Sequence, residues 1–195
     1  MTTDLIVAFE GPFSWPGSPG APSIFEAELR RTSGIYLWTV LLAQGYLVYY
    51  VGETGRSFEA RLLEHYCEHA SGMYHVNSPE EFARGERVVI WPGRYDPTMK
   101  KSAKECILEC SRLGEPITKL AYIYRFFLAP LSCETRIRRR IEAAIANTLY
   151  AAPSSVGLFQ ETGIRYHPRT QEETAIICRV SSSMPLLGIP ERLLV

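Results

Sequence analysis

Gly34-Ile35-Tyr36-Leu37-Trp38-Thr39-Val40 and Tyr46-Leu47-Val48-Tyr49-Tyr50-Val51-Gly52 are two β-branched and aromatic runs separated by Leu41-Leu42-Ala43-Gln44-Gly45. Two such runs with a glycine near the break predict a β-hairpin. With the turn centred near Ala43, Tyr36 and Tyr50 lie directly opposite each other, and directly paired residues share a face. A slip of one residue would send the two phenols to opposite sides of the sheet.

The chain continues Glu53-Thr54-Gly55-Arg56-Ser57-Phe58-Glu59-Ala60-Arg61-Leu62-Leu63-Glu64-His65. Ser57 suits a helix N-cap, and Phe58, Leu62, Leu63 and Tyr66 recur at helical spacing. Arg61 and His65 are four apart and therefore one turn apart on one helix face. A guanidinium is a fixed fork of donors matched to phosphate, and an imidazole beside it can move protons near neutral pH. Each feature alone has a plain explanation: tyrosines pack in strands, and arginine and histidine on a helix are commonly solvated.

Taken together, in order and spacing, the segment from Gly34 to His65 resembles the GIY-YIG nuclease family. The resemblance implies an α+β core, a central three-stranded sheet flanked by helices, that hydrolyses phosphodiesters at a single divalent ion. It also implies a metal-binding glutamate in a helix after the third strand. Glu142, in Arg140-Ile141-Glu142-Ala143-Ala144-Ile145, is the best match, with Glu134 the alternative at the start of the same predicted helix. Arg138 and Arg139 precede Glu142 by one turn, so a surface ion pair is its ordinary reading.

In the roles implied by the family, Tyr36 helps take the proton from the attacking water and Tyr50 orients water or phosphate. Arg61 neutralises charge on the phosphate, His65 shares in proton transfer, and Glu142 holds the metal. A lone carboxylate with water ligands suits Mg²⁺ or Mn²⁺, and no second Asp/Glu cluster nearby suggests a two-metal site. One departure stands out. The family commonly carries an asparagine after this helix, whereas here Pro153-Ser154-Ser155-Val156 follows and no asparagine occurs beyond Asn147.

Around the core, residues 32–153, the chain reads as an N-terminal arm (1–31), an insertion (70–115) and a C-terminal extension (154–195) packed on the core. The Gly/Pro-rich stretch from Gly11 to Gly20 reads as a loop or ordered arm, with Phe13 and Trp15 pinning it to the domain. Ile24 to Arg30 suggests a short helix and Val88 to Trp91 a short strand. A helix is expected from Pro97 to Leu113, capped by Asp96 and stopped by Gly114. Lys119 to Pro130 is expected to be a central strand, Glu134 to Tyr150 a helix, and Ala175 to Val180 a strand. The insertion is the expected place for substrate recognition, since scaffold-mounted loops often carry it.

Composition bounds the rest. The 195 residues are 46% hydrophobic and 22% charged, which is globular. Lys+Arg and Asp+Glu each number 21, so bulk charge gives no reason to bind nucleic acid and local basic groups must do it. Arg56, Arg61, Lys100, Lys101 and Arg139 are the candidate contacts to DNA, with RNA as the other possible partner. No apolar run approaches a membrane span and the N-terminus does not read as a signal peptide, so the expected compartment is the cytoplasm. Five scattered cysteines argue against a disulfide framework. Cys67, His69 and His75 match no common zinc spacing, and Cys106 and Cys110 are expected to be buried thiols. The rival readings are a binding or adaptor module that has lost the chemistry, and a phosphodiesterase acting on RNA or small nucleotides.

Overall fold

A computed structural model of the chain describes residues 3–96, 102–152 and 155–195. Strand β1 (Thr3–Phe13) leads through a 3-10 turn (Glu28–Arg31) to the hairpin β2 (Gly34–Leu42) and β3 (Gly45–Thr54), then helix α1 (Phe58–Ala70). Next come β4 (Val76–Asn77), α2 (Pro79–Phe82), β5 (Val89–Trp91), α3 (Ala103–Leu108) and α4 (Cys110–Ile123). Strand β6 (Arg125–Pro130), α5 (Thr135–Ala151), α6 (Ser155–Phe159), β7 (Ile176–Ser182), β8 (Leu186–Leu187) and β9 (Arg192–Leu194) complete the order.

The fold is mixed α+β. In place of the expected sheet of three strands there is one of seven, in the order β8-β3-β2-β6-β1-β7-β9. β3, β2 and β6 are antiparallel neighbours, while β1 and β7 run parallel. Residues 3–13 form β1, which lies between β6 and β7 inside the sheet. Its alternation explains the place, with Val7 and Phe9 buried and Ile6 exposed. The part of the arm that pins is Trp15, 2% exposed, whose indole N–H donates to the Leu62 carbonyl at 3.0 Å.

At β2, β3 and β6 the sheet is covered on both sides, which is why β2 reads as an unbroken apolar run. One face carries Tyr36, Trp38, Val40, Tyr49, Phe126 and Leu128 against Phe58 and Leu62 of α1 and Leu113 and Leu120 of α4. The other carries Ile35, Leu37, Val48, Val51 and Phe127 against Ile141, Ile145 and Leu149 of α5. Each fully buried side chain of this size contributes ~1.5–3 kcal/mol.

Three expectations about the middle of the chain are corrected. Gly114 does not stop a helix, because α4 runs through both Gly114 and Pro116 to Ile123. Lys119 to Ile123, read as strand for its Tyr and Ile content, is therefore helical. The deciding pattern is Leu113, Ile117, Leu120, Ala121 and Tyr124, a helical stripe packed into the first core face. That burial offsets the ~3 kcal/mol that an interior proline costs. Cys106 and Cys110 are not core thiols either, since Cys110 is exposed and Cys106 is only partly covered. The start of the helix expected from Pro97 lies outside the described residues. Among the described residues, no helix is long and apolar enough to cross a membrane.

Candidate active site

The hairpin turns at Ala43-Gln44, and its pairs run Leu42↔Gly45, Val40↔Leu47 and Thr39↔Val48. Continued regularly, this register would set Tyr36 opposite Val51 and leave Tyr50 on the far side of the sheet. A bulge between Thr39 and Trp38 adds one residue to β3, so that Trp38 faces Tyr50 and Tyr36 faces Gly52. Tyr36 and Tyr50 are therefore diagonal neighbours rather than a direct pair. They still share a face, with ring centroids 6.1 Å apart. Tyr49 and Tyr50, adjacent in sequence, both lie on this face, while Val48 and Val51 flank them on the other.

Gly52 makes room for Tyr36. A Cβ at position 52 would fall 2.3 Å from the Tyr36 hydroxyl oxygen and 2.3 Å from its ring carbon Cζ. No other residue fits without displacing the phenol.

Helix α1 brings the next groups. Ser57 Oγ accepts the Ala60 N–H at 3.2 Å and caps it, which fixes the helix phase that turns Arg61 and His65 toward Tyr36. His65 Nε2 lies 2.7 Å from the Tyr36 hydroxyl, and Arg61 Nε donates to the same oxygen at 3.3 Å. His65 Nδ1 lies 2.8 Å from the Tyr74 hydroxyl, which itself donates to Glu68. Proton directions follow from this chain of partners. Glu68 accepts from Tyr74, so the Tyr74 oxygen is free to accept the His65 Nδ1–H. Nε2 is then the bare nitrogen, and Tyr36 donates to it.

The protonation states agree. Burial, followed by the nearby Arg61 charge, lowers His65 to about 3, and the ring is neutral at physiological pH. Burial, then the neighbouring Tyr50, raises Tyr36 well above the usual phenol value. A neutral phenol thus donates to a neutral imidazole.

Glu142 reaches this cluster from the opposite face. Helix α5 packs on the side of Ile35 and Val51, and the carboxylate of Glu142 accepts the Glu53 N–H at 3.0 Å, at the end of β3. Burial, and secondly the negative charge of Glu53, raises its pKa to about 7. The expected alternative, an ion pair with Arg138 or Arg139, is not what forms. Both arginines point to Glu53, at 3.2 and 3.4 Å. Among the described residues Glu142 has no ion-pair partner within 4 Å. Its charge is felt by Tyr50, and the charge of Arg61 is felt by Glu142.

The arginine run on α5 is mostly structural rather than a solvated row. Arg138 is 6% exposed and bonded to Glu53, Thr135 and the Cys133 carbonyl. Arg140 is also 6% exposed, and its guanidinium donates to the Thr174 and Val195 carbonyls. Arg136 pairs with Glu173 at 2.6 Å. Arg139 alone of the four keeps about half its side chain in solvent (49%). Arg56 is exposed beside the site and pairs with Glu64, which also binds Arg61 at 2.6 Å. Lys100, Lys101, Pro153 and Ser154 lie outside the described residues.

A cavity of about 410 Å³ opens beside these groups, with Tyr50, Arg61 and His65 on its wall. Sequence reasoning missed three residues of the site and its surroundings. Tyr74 lies between α1 and β4 with no motif to mark it. Glu68 follows His65 by three residues on α1, a spacing that was open to reading. Glu161, near the C-terminal end of α6, gathers Arg87, His75 and the Tyr49 hydroxyl. Cys67, His69 and His75 diverge, with His69 packed against Trp15 and Tyr124, and His75 turned to Glu161. Among the described residues, no group of three or more His, Cys, Asp or Glu side chains is arranged to hold a metal.

No family model, curated protein or solved structure matches this chain.

Proposed function

We propose that the chain is a GIY-YIG-type endonuclease that hydrolyses phosphodiester bonds in DNA, using Mg²⁺ or Mn²⁺ held at Glu142. The observation that carries this reading is the hydrogen-bonded chain Arg61–Tyr36–His65, with Tyr50 beside it and Glu142 electrostatically coupled to it. These are the five residues that the resemblance singles out, drawn from β2, β3, α1 and α5.

In this mechanism Tyr36 takes a proton from the attacking water as its own proton passes to His65 Nε2. The Nδ1 bond to Tyr74, backed by Glu68, holds the imidazole in the accepting tautomer, a positioning role like that of the third member of a hydrolase triad. Arg61 neutralises charge developing on the phosphate, and Tyr50 orients water or phosphate. The donor set fits an ion that keeps most of its water. Glu142 is a partly buried carboxylate without an ion pair among the described residues, and one carboxylate with waters is a common Mg²⁺ environment. When bound, such an ion supplies Lewis-acid stabilisation of the phosphate oxygens.

A second reading, a nucleic-acid-binding module without chemistry, is favoured by one fact: Tyr36 is 0% exposed, so water must enter before it can act. Incubation of supercoiled, linear and branched DNA, and of RNA, with Mg²⁺ or Mn²⁺ separates the readings. Cleavage by the native protein that is lost in both Arg61→Ala and Glu142→Ala is the expected result. Cleavage surviving both substitutions would sink the site assignment, and binding without any cleavage would leave only the second reading.

A further inference from the structure

The cavity beside the candidate active site holds more than a phosphate needs. Its volume of about 410 Å³ is in the range of pockets that enclose a small organic ligand. Besides Tyr50, Arg61 and His65, its wall includes a second linked group, His75, Asp96 and Glu161. Trp38, Tyr74, Tyr95 and Tyr124 add aromatic surface.

The wall is also built by the segments that surround the core. Tyr74, His75, Tyr95 and Asp96 come from residues 70–115, and Glu161 follows α6. Glu161 is fixed by Arg87, by His75 at 3.2 Å, by the Tyr49 hydroxyl and by the Thr162 N–H at 3.0 Å. The added segments therefore present a firm, aromatic pocket next to the residues proposed to handle the phosphate.

We propose that this cavity receives the base of an unpaired nucleotide adjacent to the scissile phosphate, so that the substrate is a strand carrying an unpaired or extrahelical nucleotide. The inference rests on the nuclease reading of the same site. With the phosphate at Arg61, the attached nucleotide lies at the cavity mouth. A base held in a duplex stack cannot enter a walled cavity and must leave the stack, which costs least where it is already unpaired. Aromatic side chains stack on any base face, so the pocket selects for an unstacked base rather than for a sequence.

The test compares cleavage of a single-stranded oligonucleotide, a duplex with one bulged nucleotide and the fully paired duplex, in Mg²⁺. The first two are expected to be cut at least about tenfold faster than the third, as the cost of extruding a paired base implies. Thr162→Trp, which fills the cavity from an exposed position, is expected to lower kcat/KM on the bulged duplex about tenfold through lost base stacking. Hydrolysis of methyl p-nitrophenyl phosphate, which has no base, should not change. A calorimetric titration of the native protein makes the outcome independent of any variant: deoxyadenosine 5′-monophosphate should bind about tenfold tighter than deoxyribose 5-phosphate, since a base stacked on aromatic rings adds that much. Equal rates on the three oligonucleotides, or equal affinities of the two ligands, overturns the inference. Cleavage without preference leaves the nuclease reading standing. Tight nucleotide binding without cleavage supports the pocket and removes the chemistry.

Discussion

Replacing His69 with phenylalanine takes a proton-binding site out of the core, and its effect on stability should depend on pH. His69 is 1% exposed, stacked near Trp15 with ring centroids 6.2 Å apart and edge-on to Tyr124 at 5.6 Å. Burial lowers its pKa from 6.5 to about 4, against the opposing pull of the Ile117 backbone. The folded state thus keeps this ring neutral in a range where the unfolded chain protonates it. A depressed folded pKa means stability that is complete above pH 6.5 and is lost as pH falls toward 4.

At pH 5 the unfolded imidazole is mostly protonated and the folded one mostly neutral, a difference of about 2 kcal/mol at 1.36 kcal/mol per pH unit. Phenylalanine carries no such term. His69→Phe should therefore be about 2 kcal/mol more favourable at pH 5 than at pH 8, whatever its packing effect, which is common to both. For a chain of this length that is a relative rise in Tm of about 4–8 °C. Thermal denaturation of both proteins at pH 5 and pH 8, in buffers of equal ionic strength, measures it. A difference between variant and native protein that is the same at the two pH values refutes the buried neutral histidine.

Four further outcomes follow from the site. Tyr36→Phe removes the donor to His65 Nε2 while keeping the ring, and should lower kcat for DNA cleavage about 10²-fold or more, at a stability cost of about 1–3 kcal/mol for the buried nitrogen left unpaired; unchanged kcat removes Tyr36 from the proton path. Glu142→Gln keeps an acceptor for the Glu53 N–H but loses the charge, so cleavage and any rise in native Tm on adding Mg²⁺ should both vanish, and a Mg²⁺ effect on Tm that persists places the ion elsewhere. Gly52→Ala drives a methyl into the Tyr36 hydroxyl and should destabilise by about 1–3 kcal/mol in urea unfolding; a change below ~0.5 kcal/mol would mean the phenol moves freely. Arg139→Ala should weaken DNA binding at low salt and leave stability nearly unchanged, whereas Arg138→Ala, which removes the buried partner of Glu53 and leaves it only the exposed Arg139, should cost about 3 kcal/mol in the same unfolding assay.

Local patterns make the hairpin, α1 and α5 legible: the first two have a turn or cap residue that agrees with the apolar period, and α5 has the period alone. Helix α4 was misread for a physical reason. Tyr122, Ile123 and Tyr124 favour strands intrinsically, yet the stripe from Leu113 to Tyr124 finds its partners on the sheet, and packing overrides propensity. The arginines of α5 were opaque in another way. Their partners Glu53, Glu173 and Val195 are distant in sequence, so nothing nearby distinguishes buried Arg138 and Arg140 from solvated Arg139. Glu142 is ambiguous in sequence for the same reason: Glu53, distant in the chain, takes up both arginines one turn before it.

The bulge in β3 is the feature on which the site turns, and no residue pattern announced it. Without it, Tyr50 would share the face of Leu37 and Val48, beneath α5, and only Tyr49 would stand near Trp38. One extra residue lets two consecutive tyrosines occupy one face and take different tasks. Tyr49 is 4% exposed and fixes Glu161, which anchors the distal wall of the cavity. Tyr50 is left partly open beside Tyr36 and Arg61. A single backbone irregularity therefore supplies both a phosphate-side phenol and the support of the neighbouring pocket. That coupling gives a structural reason why the proposed chemistry and the proposed recognition of an unpaired base sit side by side.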